Sequence, residues 1–250
     1  EGVLDDLAFI VGPPLSVGLS MLLFPEAGPL AAALFLIIGV GLFVVQRRTE
    51  PPVSPHAGSE QGRTSSMLRQ PVVRTLALFM LAQGVIVGVI DVASVAFATA
   101  QGQPGMASVV LSFYALGSCA MGLLFGTLRL QMPLSRQIVW GGASVAISAL
   151  PLLLASNLTA LTLAVLLAGI TFGPTITVAM SLVEQQVQAN RLTEGMTWLL
   201  TGLASGVALG AAAAGWLIDH WGPQQSFVLT LLAGGAMWLW GVQAGRQADR

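Results

Sequence analysis

Asp91 is the residue in this chain whose type and position could do chemistry. It is the one charged residue in an apolar stretch that runs from residue 75 to 128. A charged group inside a membrane-spanning helix costs about 3 kcal/mol or more, so it usually faces a cavity or a partner. A carboxylate at this position could take up and release a proton and so couple proton movement to the movement of a substrate. Two other interpretations stay open: an acid hydrated near the outer surface, and an acid bonded to a neighbouring helix for structural reasons.

Other residue types that carry chemistry are scarce. Cys119 is the single cysteine, and the two histidines, His56 and His220, are isolated in the sequence. The sequence contains no Ser-His-Asp pattern, phosphate-binding loop or set of spaced metal ligands. We therefore expect neither an enzyme nor a cofactor or metal site. We expect the energy for any transport to come from a gradient across the membrane. The other polar or aromatic groups in or near apolar stretches are Gln83, Gln101, Tyr114, Trp140, Gln185 and Trp198.

The composition predicts a membrane protein. Of the 250 residues, 55% are hydrophobic and 8% are charged, whereas about a quarter of the residues in soluble domains are charged. We therefore expect the lipid bilayer to surround the chain. The net charge of −1 leaves no basic surface, which excludes nucleic acid as a partner.

The apolar stretches predict an all-α fold with eight transmembrane helices, because a spanning helix needs about 20 mostly apolar residues. Two stretches are too long for one crossing, and turn-forming residues at 101–105 and 156–157 divide them. The predicted spans are 7–24, 28–46, 73–99, 105–128, 135–154, 158–183, 193–218 and 223–245.

The basic residues predict the orientation of these helices. All ten are arginines, and all fall in the loops after helices two, four and six or in the C-terminal tail: Arg47, Arg48, Arg63, Arg69, Arg74, Arg129, Arg136, Arg191, Arg246 and Arg250. Cytoplasmic loops are enriched in basic residues. We therefore expect both ends of the chain to be cytoplasmic.

The longest connection, 47–72, is rich in Pro, Ser and Gly and contains several arginines. Such a composition is typical of a flexible linker. It would separate a two-helix part, 1–46, from a six-helix part, 73–250.

Helix-packing and helix-bending residues follow recognisable spacings. Gly202, Gly206 and Gly210 repeat every four residues, which puts small residues on one helix face and allows another helix to approach closely. The pairs at 12–13 and 173–174, each a glycine followed by a proline, interrupt helical hydrogen bonding and should bend their helices. Such bends could serve as gating points, although kinks are also common in membrane helices that do not gate.

Short motifs and topology together resemble the major facilitator superfamily of transporters. Six helices after a long basic loop match the second half of that fold. Residues 9–18, with Gly12 and Pro13, resemble the Gly-Pro antiporter motif of the family's fifth helix, and residues 202–222 resemble its eleventh helix and the turn into the twelfth. Residues 122–136 are similar to a degenerate copy of the family's cytoplasmic signature loop, without its aspartate. Residues 192–198 are similar to a segment of bacterial drug-efflux-like members, which implies a bacterial plasma (inner) membrane.

The resemblance implies a fragment that covers helices five to twelve of twelve. Residues 1–46 would be the last two helices of the N-terminal bundle, and residues 73–250 would be the C-terminal six-helix bundle. The implied function is proton-coupled efflux of small hydrophobic or cationic molecules by alternating access. Its partners would be the small-molecule substrate and protons. The alternative is a non-transporting membrane scaffold or sensor that keeps the fold.

The resemblance also adds candidate carboxylates near the start of the chain. If Gly12 and Pro13 lie in the outer half of the fifth helix, then Glu1, Asp5 and Asp6 lie inside the span. Glu1 and Asp5 are four residues apart and would share a helical face, where they suit a cationic substrate or a proton. The other interpretation is an acidic cap at the start of a helix, which the helix dipole favours.

Overall fold

The computed structural model describes residues 11–12, 15–16, 18–20, 22–45, 66–128 and 131–249. All regular secondary structure in these residues is helical. Glu1, Asp5, Asp6 and Pro13 lie outside the described residues, so the predictions made for them stay predictions.

Nine α-helices are fully bounded within the described residues. They are α1 (Ala27–Val45), α2 (Pro71–Ala100), α3 (Met106–Thr127), α4 (Leu134–Ser148), α5 (Leu150–Leu153), α6 (Leu158–Gln186), α7 (Leu192–Trp221), α8 (Pro223–Ser226) and α9 (Val228–Ala248). Short 3₁₀ turns at Met67–Arg69 and Ala189–Arg191 precede α2 and α7.

Six helical segments among the described residues are long and apolar enough to cross a membrane. This finding confirms a multi-pass membrane protein, but it matches the predicted count of eight helices only in part. The predicted span 135–154 is divided between α4 and α5, because Pro151 has no amide hydrogen to continue the helical ladder. The predicted span 7–24 lies partly outside the described residues, and its described residues up to 22 are helical.

The C-terminal end of the predicted linker is more ordered than a flexible connection. Residues 66–70 contain a 3₁₀ turn, and α2 begins at Pro71, two residues before the predicted boundary. Met67 is buried, and its amide donates a hydrogen bond to Glu194 Oε1 at 2.9 Å. The side chain of Gln70 donates to the carbonyl of Gln186 at 3.4 Å. These contacts dock the segment before α2 on the loop between α6 and α7.

The helices from α2 onward pack around α2, which contacts α7 along most of its length and also packs on α9 and α6. A second pair, α3 and α6, lies beside α2, and α4 packs on α6 and α9. The core between them contains Phe79, Met80, Ile90, Leu161 and Leu182, each at most 2% exposed. By contrast, α1 exposes nearly all of its apolar side chains, as a helix in contact with lipid can.

The described arginines collect at one end of this bundle. Gln247 in the last turn of α9 accepts a hydrogen bond from Thr75 in the first turn of α2 at 3.1 Å. The docking of residues 66–70 on Glu194 brings the start of α7 to the same end. The start of α4 joins them, because a Cβ at Gly245 would lie 2.6 Å from the Ser135 carbonyl oxygen. Arg69, Arg74, Arg136, Arg191 and Arg246 all belong to these four termini.

Candidate functional site

Asp91 lies within α2, toward the end of the bundle opposite the described arginines. It is nine residues before Ala100, the last residue of α2, which corresponds to about 14 Å along the helix. Its side chain is half-buried, and the preceding residue of the helix, Ile90, is fully buried. Among the described residues it makes no hydrogen bond or ion pair. The sequence left open that Asp91 is bonded to a neighbouring helix for structural reasons. The described part of the chain contains no bond of that kind.

Tyr114 on α3 is close enough to Asp91 for the two ionisable groups to interact electrostatically. The Tyr114 ring packs on the ring of Phe172 in α6, with centroids 5.5 Å apart. α3 and α6 approach closely here: Gly169 on α6 is so near α3 that an added Cβ would overlap the carbonyl oxygen of Tyr114. Tyr114 therefore joins α2, α3 and α6 beside the acidic residue.

Gln83, two turns before Asp91 on α2, ties that helix to the part of α6 around Pro174. Its side chain is 1% exposed. The amide Nε2 donates to the Phe172 carbonyl oxygen at 3.2 Å and to Thr175 Oγ1 at 2.8 Å. These two acceptors flank Pro174, which interrupts the hydrogen-bond ladder of α6 because proline has no amide hydrogen. Gln83 thus braces α6 where its own backbone bonding is weakest.

A small, mainly apolar cavity lies beside this brace, among α2, α3, α4 and α6. Its lining includes Gln83, Tyr114, Ser148 and Thr171 with six apolar residues, and its volume is about 10 Å³. The hydroxyl oxygens of Ser148 and Thr171 are 3.2 Å apart. One water molecule needs about this volume, so in this conformation the cavity is far too small for a transported molecule.

The sequence gives only part of this arrangement. Gln83 and Tyr114 are visible as polar residues within apolar stretches, but their pairing with α6 depends on residues far along the chain, since Gln83 and Thr175 are 92 positions apart. Thr175 carries no signal of its own, because hydroxyl residues are ordinary in membrane helices, where they can bond within their own turn. A glutamine in the middle of an apolar helix is the one signal that could have found the brace.

Gly202, Gly206 and Gly210 on α7 lie where that helix approaches α2. A Cβ added at Gly202, Gly206 or Gly210 would overlap the carbonyl oxygens of Ala77, Leu81 or Val85 on α2, respectively. Gly84 and Gly88 on α2 make the reciprocal approach to α7. Because both faces are built from glycine, the two backbones touch and leave no room for side-chain rearrangement between them.

The predicted bend residues have different surroundings. Gly173 packs against α3, where a Cβ would lie 2.8 Å from the Ser118 carbonyl oxygen, and Pro174 follows it inside α6. Gly12 is helical, and a Cβ there would have no neighbour within 4 Å among the atoms compared. Of the two glycines at predicted bends, Gly173 is therefore the one that packs against another described helix.

An ion pair lies at the arginine-rich end. Arg191 Nη2 and Glu194 Oε2 are 2.8 Å apart in the turn that begins α7. Glu194 also accepts the Met67 amide, so one carboxylate holds both the start of α7 and the segment before α2. The described residues include no group of three or more His, Cys, Asp or Glu side chains that could hold a metal ion.

In the described part of the chain, six long apolar helical segments and the exposed apolar side chains define a multi-pass α-helical membrane protein. The family model of the Major Facilitator Superfamily matches residues 91–246, which is more than half of the chain. The chain belongs to that superfamily, whose members are transporters rather than enzymes. Neither the curated proteins nor the solved structures that were searched gave a match.

Proposed function

We propose that this protein is a proton-coupled secondary transporter that exports small hydrophobic or cationic molecules by alternating access. Family membership supports the transporter class. The observation that carries the coupling proposal is the position of Asp91. The other described carboxylates lie within a few residues of a helix end: Glu26, Glu184, Glu194, Asp219 and Asp249. Asp91 alone among the described acids lies deep within a spanning helix.

The coupling mechanism follows from the cost of charge in the bilayer. A charged carboxylate within a spanning helix costs about 3 kcal/mol, and a protonated one costs much less. The two protonation states of Asp91 therefore favour different arrangements, the charged state an arrangement that is open to water and the neutral state one that is closed. A difference of about 3 kcal/mol changes the ratio of two conformations by roughly 100-fold. That ratio is large enough to couple a proton to a conformational step.

The proposed moving part is the α6 region rather than the contact of α2 with α7. The glycine faces of α2 and α7 support a rigid pair, while Gly173 and Pro174 support bending of α6. Gly12 and Pro13 would provide a corresponding bend in the first part of the chain. Glu1, Asp5 and Asp6 would add a second set of carboxylates for a cation or proton, as the resemblance of residues 9–18 implies.

The arginine-rich end of the bundle is the proposed cytoplasmic side. All five described arginines lie there, and cytoplasmic ends of membrane helices are enriched in arginine. Both ends of the chain would then be cytoplasmic, in the plasma membrane of a bacterium. Asp91, nearer the opposite end, would lie in the outer half of the membrane.

Transport by the full-length protein in liposomes tests this proposal. With a pH gradient across the liposome membrane and ethidium as the cationic probe, we expect pH-driven dye movement by the unchanged protein. Asp91→Asn should abolish the pH-driven component. Asp219→Asn, near the end of α7, is the matched control and should keep it. Undiminished pH-driven movement in Asp91→Asn would refute proton coupling through this residue, and no movement of any cationic or hydrophobic probe would favour the scaffold alternative.

A further inference from the structure

A large pocket lies at the arginine-rich end of the bundle, between the segment before α2 and the loop from α6 to α7. Residues of the segment 66–70, including Arg69, form one wall, and Gln186, Gln188 and Arg191 form the other. Its volume of about 470 Å³ lies within the range of about 300–1,000 Å³ that is usual for small-molecule sites. All of its described lining residues except Met67 are polar or charged. This arginine pocket therefore suits a polar ligand.

Two hydrogen bonds hold the walls of the arginine pocket together. The Met67 amide donates to Glu194 Oε1 at 2.9 Å, and Gln70 Nε2 donates to the Gln186 carbonyl oxygen at 3.4 Å. The first bond joins the segment 66–70 to the start of α7, and the second joins it to the end of α6. Because both walls are in place before a ligand arrives, less conformational entropy is lost when the ligand binds.

The charges around the arginine pocket favour an anion. Arg69 and Arg191 line it, and its described lining residues include no aspartate or glutamate. Arg191 is paired with Glu194 at 2.8 Å. The side chain of Arg69, by contrast, is exposed and makes no hydrogen bond or ion pair to the described residues. Within the described part of the chain, the positive charge of Arg69 is therefore not neutralised by a partner.

We propose that the arginine pocket binds a phosphate group. An arginine guanidinium presents its N–H donors as a fork that matches two phosphate oxygens, and the donors of Arg69 are not used by the described residues. The side-chain amides of Gln186 and Gln188 make no hydrogen bond to the described residues either, so each has two N–H donors for further oxygens. A phosphate group has more oxygen acceptors than a carboxylate and uses more of these donors.

A phosphate group can reach the arginine pocket from two sources. The pocket lies at the ends of membrane-spanning helices, and basic pockets between such helices on the cytoplasmic side bind anionic lipid headgroups. A soluble phosphate compound would instead enter from the water. The assignment of this end to the cytoplasmic side rests on the proposed function, but the binding of phosphate does not.

Binding measurements on the full-length protein in a non-ionic detergent test the site and separate the two sources. One arm adds dioleoylphosphatidylglycerol, and the other adds inorganic phosphate at constant ionic strength. A ligand that binds the folded state raises Tm, so Tm gives an apparent affinity in both arms, and native mass spectrometry counts the bound lipid. We expect a saturable rise in Tm in at least one arm. Saturation by the lipid alone identifies a headgroup site, and saturation by inorganic phosphate identifies a site open to soluble phosphates.

Three variants locate the binding. Arg69→Gln should weaken it by about tenfold, because a hydrogen bond to a charged group is lost. Arg136→Gln is the matched control: it removes an exposed arginine at the same end, which also makes no side-chain bond to the described residues and does not line the pocket. It should change the affinity by less than about twofold, because distant charges are screened. Gln188→Leu keeps the net charge and should weaken binding severalfold.

Three results would overturn the proposal. The absence of a saturable rise in Tm in both arms would mean that the pocket does not bind phosphate. Equal losses of affinity in Arg69→Gln and Arg136→Gln would mean a general attraction of anions to this end of the protein. An equal rise in Tm with sodium acetate would mean a site for carboxylates. These measurements need no pH gradient, so failure of the phosphate site and failure of proton coupling through Asp91 are distinguishable.

Discussion

Replacement of Gly206 by alanine tests whether direct backbone contact holds α2 and α7 together. A methyl carbon at this position would overlap the Leu81 carbonyl oxygen and lie 2.9 Å from the Val85 amide nitrogen. Favourable contact distances are about 3.5 Å or more. Both neighbours are backbone atoms and cannot rotate away, so the two helices must separate locally by roughly an ångström.

The cost of that separation can be isolated with a control on the same helix. Overpacking of a well-packed interface costs about 1–3 kcal/mol, while alanine is favoured over glycine inside a helix by about 1 kcal/mol. Gly215→Ala gains the same helix preference, but its Cβ meets nothing within 4 Å among the atoms compared. The difference between the two variants therefore measures the interface term, which we expect to be about 1–3 kcal/mol.

Thermal unfolding in detergent measures this difference. For a chain of this size, about 1 kcal/mol corresponds to a change in Tm of about 2–4 °C, so Gly206→Ala should melt about 2–12 °C below Gly215→Ala. The helix content of both variants before heating should equal that of the unchanged protein. A Gly206→Ala variant that melts at or above the Gly215→Ala variant would refute the account of a rigid α2–α7 pair.

Three further substitutions test the contacts around the bundle. Thr175→Val, which removes the hydroxyl that accepts from Gln83, should lower the free energy of unfolding by about 1–2 kcal/mol, and an unchanged denaturation midpoint would contradict the brace. Glu194→Ala, which removes the acceptor for the segment 66–70, should raise amide hydrogen exchange in that segment, and unchanged exchange would show that docking depends on other contacts. Pro174→Ala, which restores an amide donor within α6, should raise Tm while slowing transport, and unimpaired transport would argue against bending at this site.

The positions of the long helices could be predicted from the sequence because they depend on local composition. A stretch such as 27–45 is apolar throughout, and the length of chain needed to cross a bilayer defines the helix with no knowledge of its neighbours. The division of the predicted span 135–154 was missed for a local reason too: Pro151 interrupts hydrogen bonding without changing the hydropathy of the stretch. Helix ends that depend on such interruptions therefore leave only a weak signal in the hydropathy of the sequence.

The contacts between helices could not be predicted in the same way. The glycine spacing at 202, 206 and 210 indicates that one face packs closely, but nothing in it identifies α2 as the partner. The hydrogen bond between Met67 and Glu194 joins residues 127 positions apart, so the end of the linker appears flexible when only its composition is considered. The Gln83 brace depends in the same way on the placement of α6, which the packing of the whole bundle determines.

The two contacts of α2, with α7 and with α6, differ in how easily they can change during a conformational step. Its glycine face is held against α7 by backbone contacts that allow little adjustment, while its Gln83 side contacts α6 through two hydrogen bonds beside a proline. Packed backbone interfaces resist graded deformation, whereas a side-chain hydrogen bond can be exchanged for one to water at a net cost of about 1 kcal/mol. If α6 moves during a transport cycle, the contact that breaks is therefore the one made by Gln83. Asp91, two turns further along the same rigid helix, then stays fixed while the groups on α6 move relative to it.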